Sequence, residues 1–97
     1  MIIHNADIPE EKGRKGYPIA DHQHLLHHLA VRITTPDNPF KPHRHAAEEI
    51  WYIVAGEALA ELDDQEHPVG AGDVIILQPW VEHGLRSETQ VKWVCLG

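Results

Sequence analysis

The chain has 97 residues, is 42% hydrophobic and carries a formal net charge of −7, which fits a single small globular domain. Its 8 Lys and Arg residues are outnumbered by 15 acidic residues. This argues against nucleic acid as a partner, because phosphate binding requires clustered positive charge. The same balance argues against an anionic membrane surface. The one small basic cluster, Lys12, Arg14 and Lys15, is interpreted as part of a solvated loop.

Cys95 is the only cysteine, so no internal disulfide is possible. The first four residues show no signal-peptide pattern, and apolar runs such as residues 50–55 are far too short to cross a bilayer. We therefore expect a cytoplasmic protein with no membrane partner. Because Cys95 lies in an apolar terminal stretch, its thiol is predicted to be buried and inert.

The first part of the chain is predicted to be an arm, residues 1–20, followed by a β-barrel over residues 21–97. In the arm, Ile2 and Ile3 are predicted to form a short strand, and residues 10–17 are predicted to form a loop. Residues 24–35 are the first long strand candidate, because apolar and polar residues alternate there. The face expected inside is Leu25, His27, Leu29, Val31 and Ile33, and the other face is His28, Arg32 and Thr34.

The rest of the chain consists of short β-type runs separated by turn residues. Strands are predicted at residues 49–54, 57–62, 66–69, 74–77, 83–86 and 91–96. Turns are predicted at residues 55–56, 63–64 and 70–73, and helical spacing is not sustained anywhere. This pattern indicates an all-β sandwich or barrel.

His43 and His45 are two residues apart, so both imidazoles point to the same face of a strand. Metal ligands lie only ~2 Å from their ion, whereas a straight strand from His43 to Glu49 would span roughly 20 Å. The chain must therefore turn at residues 46–47, both alanine, to bring Glu49 back. The resulting 2-His-1-carboxylate set suits divalent Fe, Mn, Zn or Ni. His83 is the predicted fourth ligand.

The same spacing occurs at a second place, because His22 and His24 also form a His-x-His pair. With 9 histidines in the chain, such a pair arises easily by chance, and His22 and His24 are interpreted as solvated. Of the two adjacent glutamates, Glu49 shares the parity of the ligand pair, and Glu48 is predicted to face outward.

These ligand candidates resemble the cupin superfamily. His43, His45, Glu49 and Gly56 stand at the intervals of the first cupin motif, and Gly72 and His83 match the second motif in register. The departures are Asp37 for the leading glycine, Gln78 and Trp80 for a proline and a glycine, and Ser87 for the final asparagine. The resemblance implies a small cupin jelly-roll β-barrel with one divalent metal ion inside, commonly as a homodimer.

A dimer is also expected because a sheet of so few residues has exposed edges that invite pairing. We hypothesise that Ile2 and Ile3 add to the sheet of the partner.

Several residues near the predicted site have two interpretations. Trp51 and Ile53 face inward, as barrel lining or as plain core, while Tyr52 and Trp93 are assigned to packing. His27 either orients a substrate or ligand, or is a satisfied core histidine. Trp80 either narrows the pocket mouth or serves a dimer interface, and Arg86 either meets an anionic substrate or forms a surface salt bridge.

The function expected from this ligand set is a metal-dependent oxygenase that acts on a small organic molecule, because a redox metal with open positions can bind substrate and dioxygen together. One alternative is a non-redox isomerase or lyase acting on a sugar or keto acid. The other is a binding module without catalysis, because one fold hosts many activities.

Overall fold

Nine strands build the protein in a computed structural model that describes all residues, 1–97. The strands are β1 (Arg14–Tyr17), β2 (Leu29–Thr34), β3 (Phe40–His43), β4 (Glu49–Ala55), β5 (Glu57–Leu62), β6 (Gln65–Gly70), β7 (Val74–Leu77), β8 (His83–Arg86) and β9 (Val91–Leu96). One short 3-10 helix, Asn5–Asp7, precedes them. The predicted all-β class is therefore confirmed. No helix is long and apolar enough to cross a membrane.

The strands form two antiparallel sheets. One sheet has the order β1-β2-β9-β4-β7, and the other has the order β3-β8-β5-β6. Trp51 and Ile53 of β4 and Trp93 of β9 are fully buried, and they pack against Ala60 of β5 and Leu85 of β8. The core therefore lies between the two sheets, as in other β-sandwiches.

Two tight turns follow directly from local sequence. Gly56 joins β4 to β5 with φ +94°, and a Cβ at this position would lie 2.6 Å from the carbonyl oxygen of Gln90, so only glycine fits. Asp63 and Asp64 join β5 to β6 with φ values of 47° and 66°. Two consecutive left-handed residues are the pattern of a type I′ hairpin turn, for which aspartate is a favoured residue.

Most strands from residue 49 onward lie where the sequence predicted them. The bounds of β5, β7, β8 and β9 match the predictions, β4 extends one residue further, and β6 is slightly longer at both ends. These strands have strongly β-type sequences with Gly, Pro or Asp turns on either side, so local sequence and tertiary pairing agree.

The prediction for the amino-terminal arm was wrong in two places. Ile2 and Ile3 are not in a strand. Residues 14–17, expected in a loop, form β1, which pairs with β2 at the edge of the five-stranded sheet. Pairing with β2 gives this glycine-containing stretch a strand conformation that its own sequence does not favour. The boundary expected at residue 20 remains a prediction.

The inward face of β2 was also predicted wrongly. The strand begins at Leu29, and its buried residues are Ala30 and Thr34, with Arg32 between them on the same face. His27 lies before the strand and is exposed. Ala30 and Arg32 stand directly opposite Cys95 and Trp93 of β9, whose inward faces set the register. The pairing with β9 therefore decides which face of β2 is inside.

Candidate metal centre

Three histidines converge between the two sheets and are called the histidine cluster below. His43 ends β3, His45 lies in the loop after it, and His83 begins β8. The ring centroids are 4.5 Å apart for His43 and His83, 4.6 Å for His45 and His83, and 5.4 Å for His43 and His45. One ligand nitrogen from each ring lies within 4.8 Å of the others, so one ion can be reached by all three.

Strand pairing and a bend bring these residues together. His43 and His83 are directly opposite each other in the β3–β8 ladder, so their side chains share one face. The chain then bends at residues 46–47, as predicted, before β4 begins. The loop is held by the Trp80 backbone N–H, which donates to the His45 carbonyl oxygen at 2.9 Å.

His83 is the most buried of the three histidines, with 1% of its surface exposed. Its Nδ1–H donates to the Val81 carbonyl oxygen at 2.8 Å, so Nε2 is left as the acceptor nitrogen. Burial lowers the pKa of His83, and the neighbouring His43 and His45 act in the same direction, against the effect of the Val81 hydrogen bond. The imidazole is therefore held neutral, which is the form that binds metals.

Two nitrogens of the histidine cluster are buried without a hydrogen-bond partner: His45 Nδ1 and His83 Nε2. Buried polar atoms without partners are rare, and each requires a physical reason. Three imidazoles that each place one ring nitrogen within 4.8 Å of the others are a donor set that suits a divalent transition metal. The residues of the cluster therefore fit a metal ion.

Glu49 lies beside the cluster at the start of β4, and only 12% of its side chain is exposed. Its Oε1 is 3.4 Å from His45 Nε2 and 3.9 Å from His83 Nε2, and it accepts a hydrogen bond from Trp51 Nε1 at 3.3 Å. Glu48, by contrast, is exposed, as predicted from parity. Glu49 as the fourth metal ligand remains a prediction.

A second group of ligand-type atoms shares this carboxylate. His28 Nε2 is 3.1 Å from Glu49 Oε2 and 3.4 Å from Cys95 Sγ, and the three residues form a compact set. The sequence prediction missed His28 because it assigned this residue to the outer face of β2. The signal that would have found it is its parity with Ala30, the buried residue of that strand.

Aromatic rings form the wall between the cluster and the core. The Phe40 ring lies 4.9 Å from the His43 ring, 5.4 Å from the Trp51 ring and 5.3 Å from the Trp93 ring, measured between centroids. Trp51 and Trp93 are completely buried. These rings exclude water from the inner side of the histidine cluster.

The other predicted residues are distributed over the surface. Arg86 pairs with Glu66, which confirms the surface salt bridge, and it borders a surface cavity of about 810 Å³ that none of the ligand candidates lines. Tyr52 is exposed, so its assignment to packing was wrong, because it lies on the outer face of β4. Trp80 is 62% exposed, and the pair His22 and His24 is exposed as predicted.

Comparison with known proteins identifies the family. The model of the cupin domain family (Cupin_2) matches residues 31–97, which include the whole histidine cluster and Glu49. The chain therefore belongs to the cupin family, and the predicted cupin fold is confirmed.

Individual relatives agree with this assignment. A gentisate 1,2-dioxygenase of Streptomyces sp is 34% identical over 50 residues, which are 52% of this chain but only 14% of that protein. A predicted oxalate decarboxylase from Thermotoga maritima superposes with a TM-score of 0.82 at 20% identity, covering 99% of this chain and 96% of the other. The polyketide cyclase RemF from Streptomyces resistomycificus gives a TM-score of 0.81 at 19% identity, covering 99% and 77%. At these identities the two structures show a common fold.

Proposed function

We propose that the protein is a metal-dependent enzyme, an oxygenase that acts on a small organic molecule. The observation that carries the proposal is the convergence of His43, His45 and His83 on one point, with two of their nitrogens buried and free. A catalytic metal site keeps positions open for a substrate, and three or four protein ligands leave such positions.

Each residue of the site has a distinct role in this proposal. His43, His45 and His83 hold the ion, and Glu49 completes the set as fourth ligand. When bound, a redox-active ion such as Fe(II) supplies the chemistry with dioxygen. Val81 fixes the tautomer of His83, and Trp51 orients the Glu49 carboxylate through its indole N–H. Phe40 and Trp51 keep water away from the inner side of the site.

One relative supports the choice of oxygenase over other metal chemistry. The curated relative is named as a dioxygenase, and it is similar to about half of this chain. The structural neighbours named as a decarboxylase and a cyclase support only the fold, because their sequences are about one fifth identical.

Oxygen consumption tests the proposal directly. The protein is purified without a nickel column and loaded with Fe(II), and oxygen uptake is then measured with phenols such as gentisate, with diketones and with thiols. We expect uptake with one of these classes that disappears in His83→Ala. No uptake with any class would contradict an oxygenase.

The alternatives give different results in the same assays. Substrate conversion without oxygen uptake, supported by Zn(II) or Mn(II), indicates an isomerase or lyase that uses the ion as a Lewis acid. Ligand-induced stabilisation without any conversion indicates a binding module.

A further inference from the structure

Two arginines stand directly opposite each other on neighbouring strands. Arg14 of β1 and Arg32 of β2 are partners in the antiparallel ladder, so both side chains project from the same face. Like charges at directly opposite positions destabilise a sheet. Burial, and next to it the charge of Arg14, lowers the pKa of Arg32, whereas the charges of Cys95 and Glu49 act in the opposite direction. The arrangement is costly in the free protein.

Neither arginine has an acidic partner, although the chain contains 15 acidic residues. The other two arginines, Arg44 and Arg86, are exposed and pair with Glu82 and Glu66. The arginine side-chain hydrogen bonds are those of Arg44 and Arg86, and Arg32 Nε is buried without a partner. A half-buried guanidinium without an acceptor is rare, because a buried charge is normally paired.

The pair lies beside the aromatic wall of the candidate metal centre. The Arg32 guanidinium carbon is 4.6 Å from the centroid of the Phe40 ring and 5.8 Å from that of the Trp93 ring. Phe40 in turn contacts His43. Arg32 therefore reaches into the space between the two sheets, one aromatic ring away from the histidine cluster.

Arg14 is exposed, and its side chain folds back along β1. A Cβ built on Gly16 would overlap the Arg14 guanidinium, so this group lies back over the glycine. Gly16 stands opposite Ala30 in the β1–β2 ladder. Ala30 is the next inward-facing residue of β2 after Arg32, in the direction of His28 and its partner Glu49. The absence of a side chain at Gly16 thus leaves room for a second guanidinium on the side of the metal centre.

From these observations we infer that Arg14 and Arg32 form a binding site for the carboxylate of an organic acid, whose remaining part lies against the Phe40 ring and points to the histidine cluster. A guanidinium offers a planar fork of donors that matches a carboxylate, and an aromatic neighbour favours a flat apolar body. Glu49 is near enough for its charge to raise the pKa of Arg32, but its oxygens contact His28 and His45 and it forms no salt bridge with Arg32. That the bound acid is a substrate rests on the proposed function, but the binding itself does not.

Benzoate is a suitable probe, because it combines a carboxylate with an aromatic ring. Its binding to the metal-free protein is measured by titration calorimetry, and its effect on thermal unfolding is measured in parallel. We expect saturable binding that weakens by about tenfold or more in Arg32→Met, and by a smaller factor in Arg14→Met. Arg32→Lys keeps the positive charge but loses the planar, paired donors of the guanidinium. Its affinity for benzoate should therefore lie between those of the wild type and Arg32→Met.

Matched controls separate this site from general charge effects. Arg44→Met removes an exposed arginine of the loop after β3 that pairs with Glu82, and it should leave benzoate binding unchanged. Benzamide, which has the same ring without the charge, should not bind measurably. Arg32→Met should unfold at a temperature no lower than the wild type in the absence of ligand, because it removes a half-buried cation whose Nε has no acceptor.

Several outcomes would overturn the inference. These are no saturable benzoate binding up to about 10 mM, equal losses in Arg44→Met and Arg32→Met, or binding of phenyl phosphate where benzoate fails. Because the titration uses metal-free protein, its outcome is independent of whether oxygen uptake is found. Benzoate binding without oxygen uptake would support the arginine site and contradict the oxygenase.

Discussion

At the scale of single residues, the two His-x-His pairs of this chain differ only in where the fold places them. His43 and His45 belong to the histidine cluster, whereas His22 and His24 are exposed. Spacing two apart is therefore not sufficient for a ligand pair. Partners from another strand are required, and here His83 of β8 is that partner.

This difference predicts the outcome of a paired substitution. Replacement of His43 and His45 by alanine should remove most of the bound metal, because it leaves a single imidazole in the cluster. The same replacement of His22 and His24 should leave the metal content unchanged. Metal content is measured by elemental analysis after loading untagged protein with Zn(II). Equal metal loss in the two double variants would contradict the assigned centre.

Glu49 and Glu48 offer a second matched pair, because they are adjacent and differ in exposure. If Glu49 is a ligand, Glu49→Gln should weaken metal affinity by about tenfold or more, because the amide keeps the shape but removes the charge. Glu48→Gln should have no effect. Competition with a chromogenic chelator measures both affinities, and equal affinities for the two variants would show that only the histidines hold the ion.

The thiol of Cys95 is predicted to be unreactive in the folded protein. Burial, and after it the negative charge of Glu49, raises the pKa of Cys95 to about 12. A higher pKa leaves less of the reactive thiolate. At pH 8 the native thiol should react with Ellman's reagent about a thousandfold more slowly than in protein unfolded by guanidinium. Similar rates in the two states would contradict this prediction.

At the scale of elements, the loop between β7 and β8 shows why the second motif departs from the cupin pattern. Trp80 occupies the position at which the motif has glycine, and its φ is 67°. The backbone thus keeps the left-handed conformation that glycine favours, although the residue is a bulky one that adopts it at a cost. The hydrogen bond from its N–H to the His45 carbonyl oxygen links this conformation to the candidate metal centre.

Trp80→Gly should therefore increase the free energy of unfolding by about 1 kcal/mol, because relief of the left-handed strain outweighs the entropy that glycine adds to the unfolded chain. Gln78 lies two residues earlier without a positive φ, so Gln78→Gly should lower the free energy of unfolding. Urea unfolding measures both variants. A loss of stability in Trp80→Gly comparable to that in Gln78→Gly would show that the strain is absent.

At the scale of the whole molecule, the isolated chain exposes more surface than its size requires. Its accessible area is 6483 Å², whereas a monomer of 11.0 kDa is expected to expose about 5,600 Å². Part of the excess is apolar. Ile50, Tyr52, Val54, Val74 and Ile76 are all between 41% and 67% exposed.

These five side chains form one patch on the outer face of β4 and β7. Ile50 stands opposite Ile76, and Tyr52 stands opposite Val74, so the patch is continuous across the two strands. β7 is also the edge strand of its sheet. An apolar face that ends in an open edge is typical of a surface that pairs with another chain. We therefore expect a homodimer that forms through this patch.

Ile76→Lys should convert such a dimer to a monomer, because it buries a charge at the centre of the contact. Ile2→Lys tests the competing hypothesis that the amino terminus adds to the sheet of the partner. Light scattering at micromolar concentration measures the mass of each variant. A monomeric wild type would contradict the dimer, and dissociation by Ile2→Lys alone would move the interface to the arm.

The sequence by itself determined the strands whose local signals agree with their surroundings. From Glu49 to Leu96 the alternation of β-type runs and turn residues specifies both the strands and the inward direction of Trp51 and Ile53. The intervals between His43, His45 and His83 likewise predicted the histidine cluster, because strand parity and one bend suffice to bring them together.

Only the tertiary structure decided the amino-terminal third. β1 has little strand propensity of its own, and both faces of β2 carry residues that can be buried. Pairing with β9 placed the face with Ala30, Arg32 and Thr34 inside. A one-residue shift in register would turn every side chain of β2 to the opposite face of the sheet. The sequence therefore could not predict the roles of His28 and the two arginines. The direction of their side chains depends on the pairing of β2 with β9, a strand more than sixty residues further along the chain.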